Sequence, residues 1–126
     1  LTSPSMLIGT PLYMAPELAA GAAPSPASDV FGLGLVLHEA LAGRPPLDPR
    51  RYLAEPLAAL ITYARGDLPP PSAPPDRPPL PQGLRRIVAA MTRPEPRDRP
   101  TAADVARALS RGLRDAPPPS PQEDAA

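Results

Sequence analysis

Cysteine is absent, so the chain can form neither a disulfide framework nor a thiolate metal site, and its single histidine, His38, cannot build an imidazole cluster. An excess of one charge is lacking as well. Thirteen basic residues face 13 acidic ones, so the net charge is zero and gives neither the footprint of a nucleic-acid binder nor a patch for an anionic membrane. Long hydrophobic runs are missing. The longest, Val30 to Leu37, stops at His38 and Glu39, far short of the roughly 20 residues that a spanning helix requires. There is also no lysine and no asparagine, an absence that bears on the chemistry considered below.

Proline, by contrast, is plentiful. It supplies 24 of 126 residues, many of them in two clusters, which leaves a smaller helical part to build one modest core. The first residue is leucine, and neither a signal peptide nor an obvious domain beginning follows it, so the chain is expected to be a fragment of a longer protein.

Residues 1–14 mix hydroxyl residues, glycine and proline, and the composition predicts an extended loop. Pro16 and Glu17 open a short helical turn through Ala20, which Gly21 can end. Ser28 is the expected cap of a long helix running to about Ala42, with Asp29 at its positive end and Gly43 placed to stop it. Its apolar residues point all round the axis, so this helix is expected to be the buried core element. An amphipathic helix is predicted over 52–65, beginning near Pro56 or kinking there. Eight prolines among residues 69–81 make that stretch a non-helical connector. A short helix over 83–92 places Leu84, Ile87, Val88 and Met91 on one face. Thr101 and Asp104 make a capping-box-like start for a last helix carrying Val105, Leu109 and Leu113. After Arg114 the proline-rich, acidic tail reads as disordered or a linker. The fold class is mainly α.

Three ordered motifs stand on this frame. Gly9-Thr10-Pro11 precedes Ala15-Pro16-Glu17 at a fixed offset, Asp29-Val30-Phe31-Gly32-Leu33-Gly34 opens the long helix, and Arg97-Asp98-Arg99-Pro100-Thr101 precedes the last one. Together they resemble the second half of a serine/threonine protein kinase domain, most closely the bacterial receptor-type branch. The resemblance implies an incomplete C-terminal lobe of the protein kinase-like fold over residues 1–114, without the nucleotide-binding lobe, followed by a tail over 115–126.

The resemblance also assigns roles. Gly9, Thr10 and Pro11 would form the loop that holds a protein substrate. Thr10 would support catalysis, because its hydroxyl can donate to one catalytic group and accept from another. Glu17 and Arg99 would be an ion pair tying the activation segment to the loop before the last helix. Arginine suits that place because its planar fork can grip a carboxylate bidentately. Asp29 would accept backbone N–H groups of a catalytic loop that lies outside this chain, and Gly34 would permit a close approach. Thr2 is the first candidate for phosphorylation, with Ser3 and Ser5 next. The family's common acceptor six residues before Thr10 is here Pro4. His38, on the long helix, reads as an ordinary packed histidine.

Phosphoryl transfer requires a phosphate-facing lysine, a glycine-rich cover, an aspartate base, and an aspartate and an asparagine for the metal ions. Without lysine or asparagine this chain cannot supply those parts in their usual form. ATP and Mg²⁺ are therefore expected cofactors of a complete kinase and are bound by no residue here. The expected partners are a protein substrate and the missing N-terminal part of the kinase domain, with no nucleic acid and no membrane span. The expected location is the cytoplasm, including the cytoplasmic side of a membrane-anchored kinase. The competing readings are a non-catalytic kinase remnant, a helical protein-interaction module, and an unrelated helical bundle.

Overall fold

A computed structural model describes residues 13–115. In chain order the helices are α1 (Pro16–Ala19), α2 (Pro26–Ala42), α3 (Pro49–Ala54), α4 (Pro56–Arg65), α5 (Gln82–Met91) and α6 (Ala102–Asp115), with a 3₁₀ turn at Pro96–Asp98 before α6. The described residues contain no strand.

Helix α2 begins three residues earlier than the sequence suggests, and Ser25 rather than Ser28 is its cap. The Ser25 hydroxyl accepts from the Ser28 N–H while the Ser28 hydroxyl accepts from the Ser25 N–H, a reciprocal box in which serine stands where glutamate is usual. Pro26 occupies the first helical position, where its missing N–H costs nothing. Gly43, at φ +73°, ends the helix in the left-handed conformation.

The expectation that α2 is buried all round is corrected. Phe31, Leu35, His38 and Ala42 are buried, whereas Leu33 and Val36 are about half exposed. Apolar composition fills the whole circumference, but the described residues cover only part of it. Two hydrophobic clusters lean on the buried part. Phe31 and Leu35 pack with Ala15, Leu47, Ala59 and Tyr63, and the Phe31 and Tyr63 rings meet edge-to-face at 5.4 Å. Val30 packs instead with Met91 of α5 and Val105 of α6.

The amphipathic stretch around Pro56 is two helices, separated at Glu55, because proline has no N–H to carry the ladder across. Leu53, Leu57 and Ile61 face solvent. The proline-rich connector is non-helical, with Pro71 buried. At the start of α6 Thr101 and Asp104 exchange backbone-to-side-chain hydrogen bonds of 3.2 and 3.3 Å. The Leu113 side chain and residues 116–126 lie outside the described residues.

Two glycines let helices touch. A Cβ on Gly34 would stand 2.8 Å from Met91 Cβ, and one on Gly112 would stand 2.5 Å from Leu84 Cδ2. Met91 Cβ is fixed to its own backbone and cannot swing aside, so Gly34→Ala should lower unfolding free energy by about 1–3 kcal/mol through overpacking. Gly83 has open space around it. Gly83→Ala should therefore be neutral or stabilising by up to about 1 kcal/mol. Urea midpoints of the two variants check the contrast.

Candidate functional site

The site is assembled around Arg99, whose side chain is completely removed from solvent. Its position follows from the local sequence. Pro94 and Pro96 interrupt regular structure after α5, the 3₁₀ turn redirects the chain, and Pro100 and Thr101 then start α6, leaving Arg99 extended and pointing inward.

Every N–H of the guanidinium has an acceptor. Nη1 donates to Glu17 Oε1 at 2.5 Å and to the Ala27 carbonyl at 3.0 Å, and Nη2 donates to Glu17 Oε2 at 2.8 Å and to the Pro94 carbonyl at 3.0 Å. Nε donates to the Arg93 carbonyl at 2.8 Å. The guanidinium carbon lies 4.8 Å from the centre of the Phe31 ring, a cation–π contact. One side chain thus joins α1, the first turn of α2 and the loop after α5. Glu17 keeps 17% of its side-chain surface exposed, and its hydrogen bonds to Arg99 hold its carboxyl below the usual range.

A second tie lies just before α1. The Tyr13 hydroxyl donates to Glu39 Oε2 at 2.6 Å, which raises the Tyr13 pKa, with burial adding to the shift. The Tyr13 carbonyl passes within 3.5 Å of where a Cβ on Gly32 would sit. The segment 13–19 is therefore held along α2 at one end by Tyr13 and at the other by Glu17.

The structure brings Glu17 and Arg99 together across 82 positions. It does not bring Asp29 or Gly34 to that pair. Asp29 is exposed at the start of α2, and its carboxylate makes no hydrogen bond to a described residue. Gly34 faces the end of α5. Gly9, Thr10 and Pro11, and with them Thr2, Ser3 and Ser5, lie outside the described residues. No group of three or more potential metal ligands occurs among the described residues.

Sequence reasoning missed the Tyr13–Glu39 bond, the Phe31 face beneath the guanidinium and the three backbone acceptors at Ala27, Arg93 and Pro94. A tyrosine two residues before Ala15-Pro16 was the only available signal, and it gave no partner. His38 is buried, with Nδ1 lacking a hydrogen-bond partner among the described residues. Burial lowers its pKa, and the Arg44 charge adds to the effect.

The sequence pattern of the protein kinase domain matches residues 2–109. The probable serine/threonine-protein kinase PkwA of Thermomonospora curvata is 38% identical over 110 residues, covering 87% of this chain and 13% of its own length. The serine/threonine-protein kinase PkaA of Streptomyces coelicolor is 36% identical over 110 residues, covering 86% of this chain and 18% of its own. The serine/threonine-protein kinase PknA of Mycobacterium tuberculosis is 37% identical over 125 residues, covering 98% of this chain and 27% of its own. The chain thus spans between 13% and 27% of the length of these relatives.

Removing the guanidinium strands the Glu17 carboxylate and several carbonyls. Arg99→Ala should therefore cost about 3–5 kcal/mol in urea unfolding. Arg99→Lys should recover only part of this, because a point charge with three donors cannot meet five acceptors.

Acid should act through three groups, of which Asp104, its pKa lowered by its hydrogen bonds to Thr101 and Arg107, is exposed and counts least. Folding lowers the pKa of both His38 and Glu17, so the native state binds their protons less readily than the unfolded state. Their stabilisation is complete above the unfolded pKa values and is lost as pH falls through the folded ones. Stability should begin to fall below about pH 6.5. His38→Gln should remove that first phase and leave the carboxylate phase, as read from unfolding free energies across a pH series.

Proposed function

Because the chain belongs to the protein kinase domain family, we propose that it forms the substrate-side part of the C-terminal lobe of a serine/threonine kinase that transfers the ATP γ-phosphoryl group to protein hydroxyls. The observation that carries this reading is the Arg99 junction. It fastens residues 13–19, which follow the proposed substrate loop in sequence, to α2 and to the loop before α6.

In this reading Gly9 and Pro11 shape the loop that receives the substrate, and the Thr10 hydroxyl positions the catalytic groups by donating one hydrogen bond and accepting another. Thr2 is the first site of activating phosphorylation, with Ser3 and Ser5 next. A phosphate there adds roughly −1.5 to −2 charge, which an arginine can receive.

The residues present do not fit ATP or Mg²⁺. The chain has no lysine for the phosphates and no asparagine for a metal ion, and the described residues offer no carboxylate cluster. We therefore assign nucleotide and metal binding to the preceding part of the kinase domain and derive no step through them here. That part is also the proposed partner of Asp29 and of the exposed Leu33 and Val36 face of α2. A carboxylate without a partner beside half-exposed apolar side chains suits a surface that another segment covers. We place the domain in the cytoplasm, or on the cytoplasmic side of a membrane-anchored kinase. No described helix is long and apolar enough to cross a membrane.

The second reading, a non-catalytic kinase remnant or helical interaction module, draws on the exposed apolar side chains of Leu33, Val36, Leu53, Leu57 and Ile61. Phosphotransfer assays separate the two. The 126-residue chain alone should transfer no phosphate, whereas protein expressed with the in-frame upstream coding sequence should phosphorylate a protein substrate. In that longer protein Thr10→Ala should lower kcat by about 100-fold, while Thr10→Ser retains most activity. A folded but inactive longer protein would support the module instead.

A further inference from the structure

The zero net charge conceals a segregation. From Gln82 to Asp115 the chain carries eight arginines against four carboxylates, whereas residues 116–126 carry Glu123 and Asp124 and no basic residue. Between α5 and α6 the structure forms a groove of about 520 Å³ with Ile87, Ala90 and Gly112 among its apolar lining and Arg86, Arg93 and Arg111 around it. A recess of about 370 Å³ adjoins it at Arg111 and adds Arg107 and Arg114. Arg107 is paired with Asp104 and Arg93 donates to the Asp98 carbonyl. Arg86 and Arg111 are exposed and make no ion pair among the described residues.

We propose that this groove is the docking surface for the chain's own acidic, proline-rich segment, Pro117-Pro118-Pro119-Ser120-Pro121-Gln122-Glu123-Asp124. Three properties match. The carboxylates complement the arginines. The prolines offer apolar rings to the floor and have no N–H to compete with the guanidinium donors, while their carbonyls remain free to accept. The third property is reach. At about 3.1 Å per residue in the extended form that proline favours, Glu123, eight residues beyond Asp115, reaches about 25 Å. Arg111 lies four residues before the end of α6, only about 6 Å back along the helix. Tethering at that range gives an effective concentration of about millimolar, so an intrinsic affinity of about millimolar, shared between the charge contacts and the apolar floor, suffices for occupancy. Mobile salt ions compete with such exposed contacts and weaken them.

The absence of cysteine makes the test direct. A nitroxide on Gln122→Cys in the full chain is the only thiol adduct, and it broadens nearby arginine Nε–H resonances. At low salt the signals of Arg86, Arg93 and Arg111 should be attenuated about twofold or more relative to Arg50 on α3. About 1 M NaCl, where the screening length is about 3 Å, should abolish the effect. The paired changes Glu123→Gln with Asp124→Gln, or Arg86→Gln with Arg111→Gln, should abolish it as well. Attenuation that survives both charge-removing pairs overturns the proposal. A label that stays remote from these arginines also overturns it, whether the chain is folded or not. If the label stays remote while an added peptide of residues 116–126 shifts the same arginine signals, the groove belongs to a separate acidic partner and not to this segment.

Discussion

A guanidinium is tolerated away from water only when each of its N–H groups finds an acceptor, and Arg99 meets that condition by drawing on three separate stretches of chain. The dependence runs both ways. Ala27, Arg93 and Pro94 each have a backbone oxygen directed at the same cation, so α2 and the loop after α5 keep their relative placement while the cation stays. Beneath it the Phe31 ring belongs to one hydrophobic cluster, while its neighbour Val30 belongs to the other. The polar junction and both apolar clusters therefore meet at consecutive residues of α2. The short α1, four residues long, has too little surface to hold itself in place. Glu17 and Tyr13 fix its orientation.

How much of this could be read from sequence depended on the range of the interaction. Helices were visible from local pattern, as with Leu84, Ile87, Val88 and Met91 on α5 and the Thr101 box at α6. Stop signals were legible for the same reason, Gly43 and Pro56 being constraints that act on their own backbone. The cap of α2 was misplaced because Ser25 and Ser28 are both competent, and only the reciprocal bond distinguishes them. The pairing of Glu17 with Arg99 came only through resemblance, since nothing local in either segment names a partner 82 residues away.

Exposure proved the least legible property. Leu33 and Val36 are indistinguishable by residue type from the buried Leu35, and which side of α2 is covered depends on what packs there. Gly112 was equally silent, because a glycine within a helix shows its purpose only when a neighbour such as Leu84 stands against it. Thr10 and its neighbours carry the most chemistry in the sequence reading and fall outside the described residues, so their role rests on the family pattern and on the anchoring of the residues that follow.

The separation of Glu17 and Arg99 along the chain also sets a waiting time during synthesis. A ribosome adding roughly 5–20 residues per second needs about 4–16 s to travel the 82 positions between them. Throughout that interval Glu17 remains hydrated and α1 has no Arg99 cation to hold it, while α2 and the α3–α4 region are still being made. The junction can close only after the start of α6 has left the exit tunnel. The segment that adjoins the proposed substrate loop is thus made well before it is secured, and a nascent chain cannot hold it in place before the start of α6 exists.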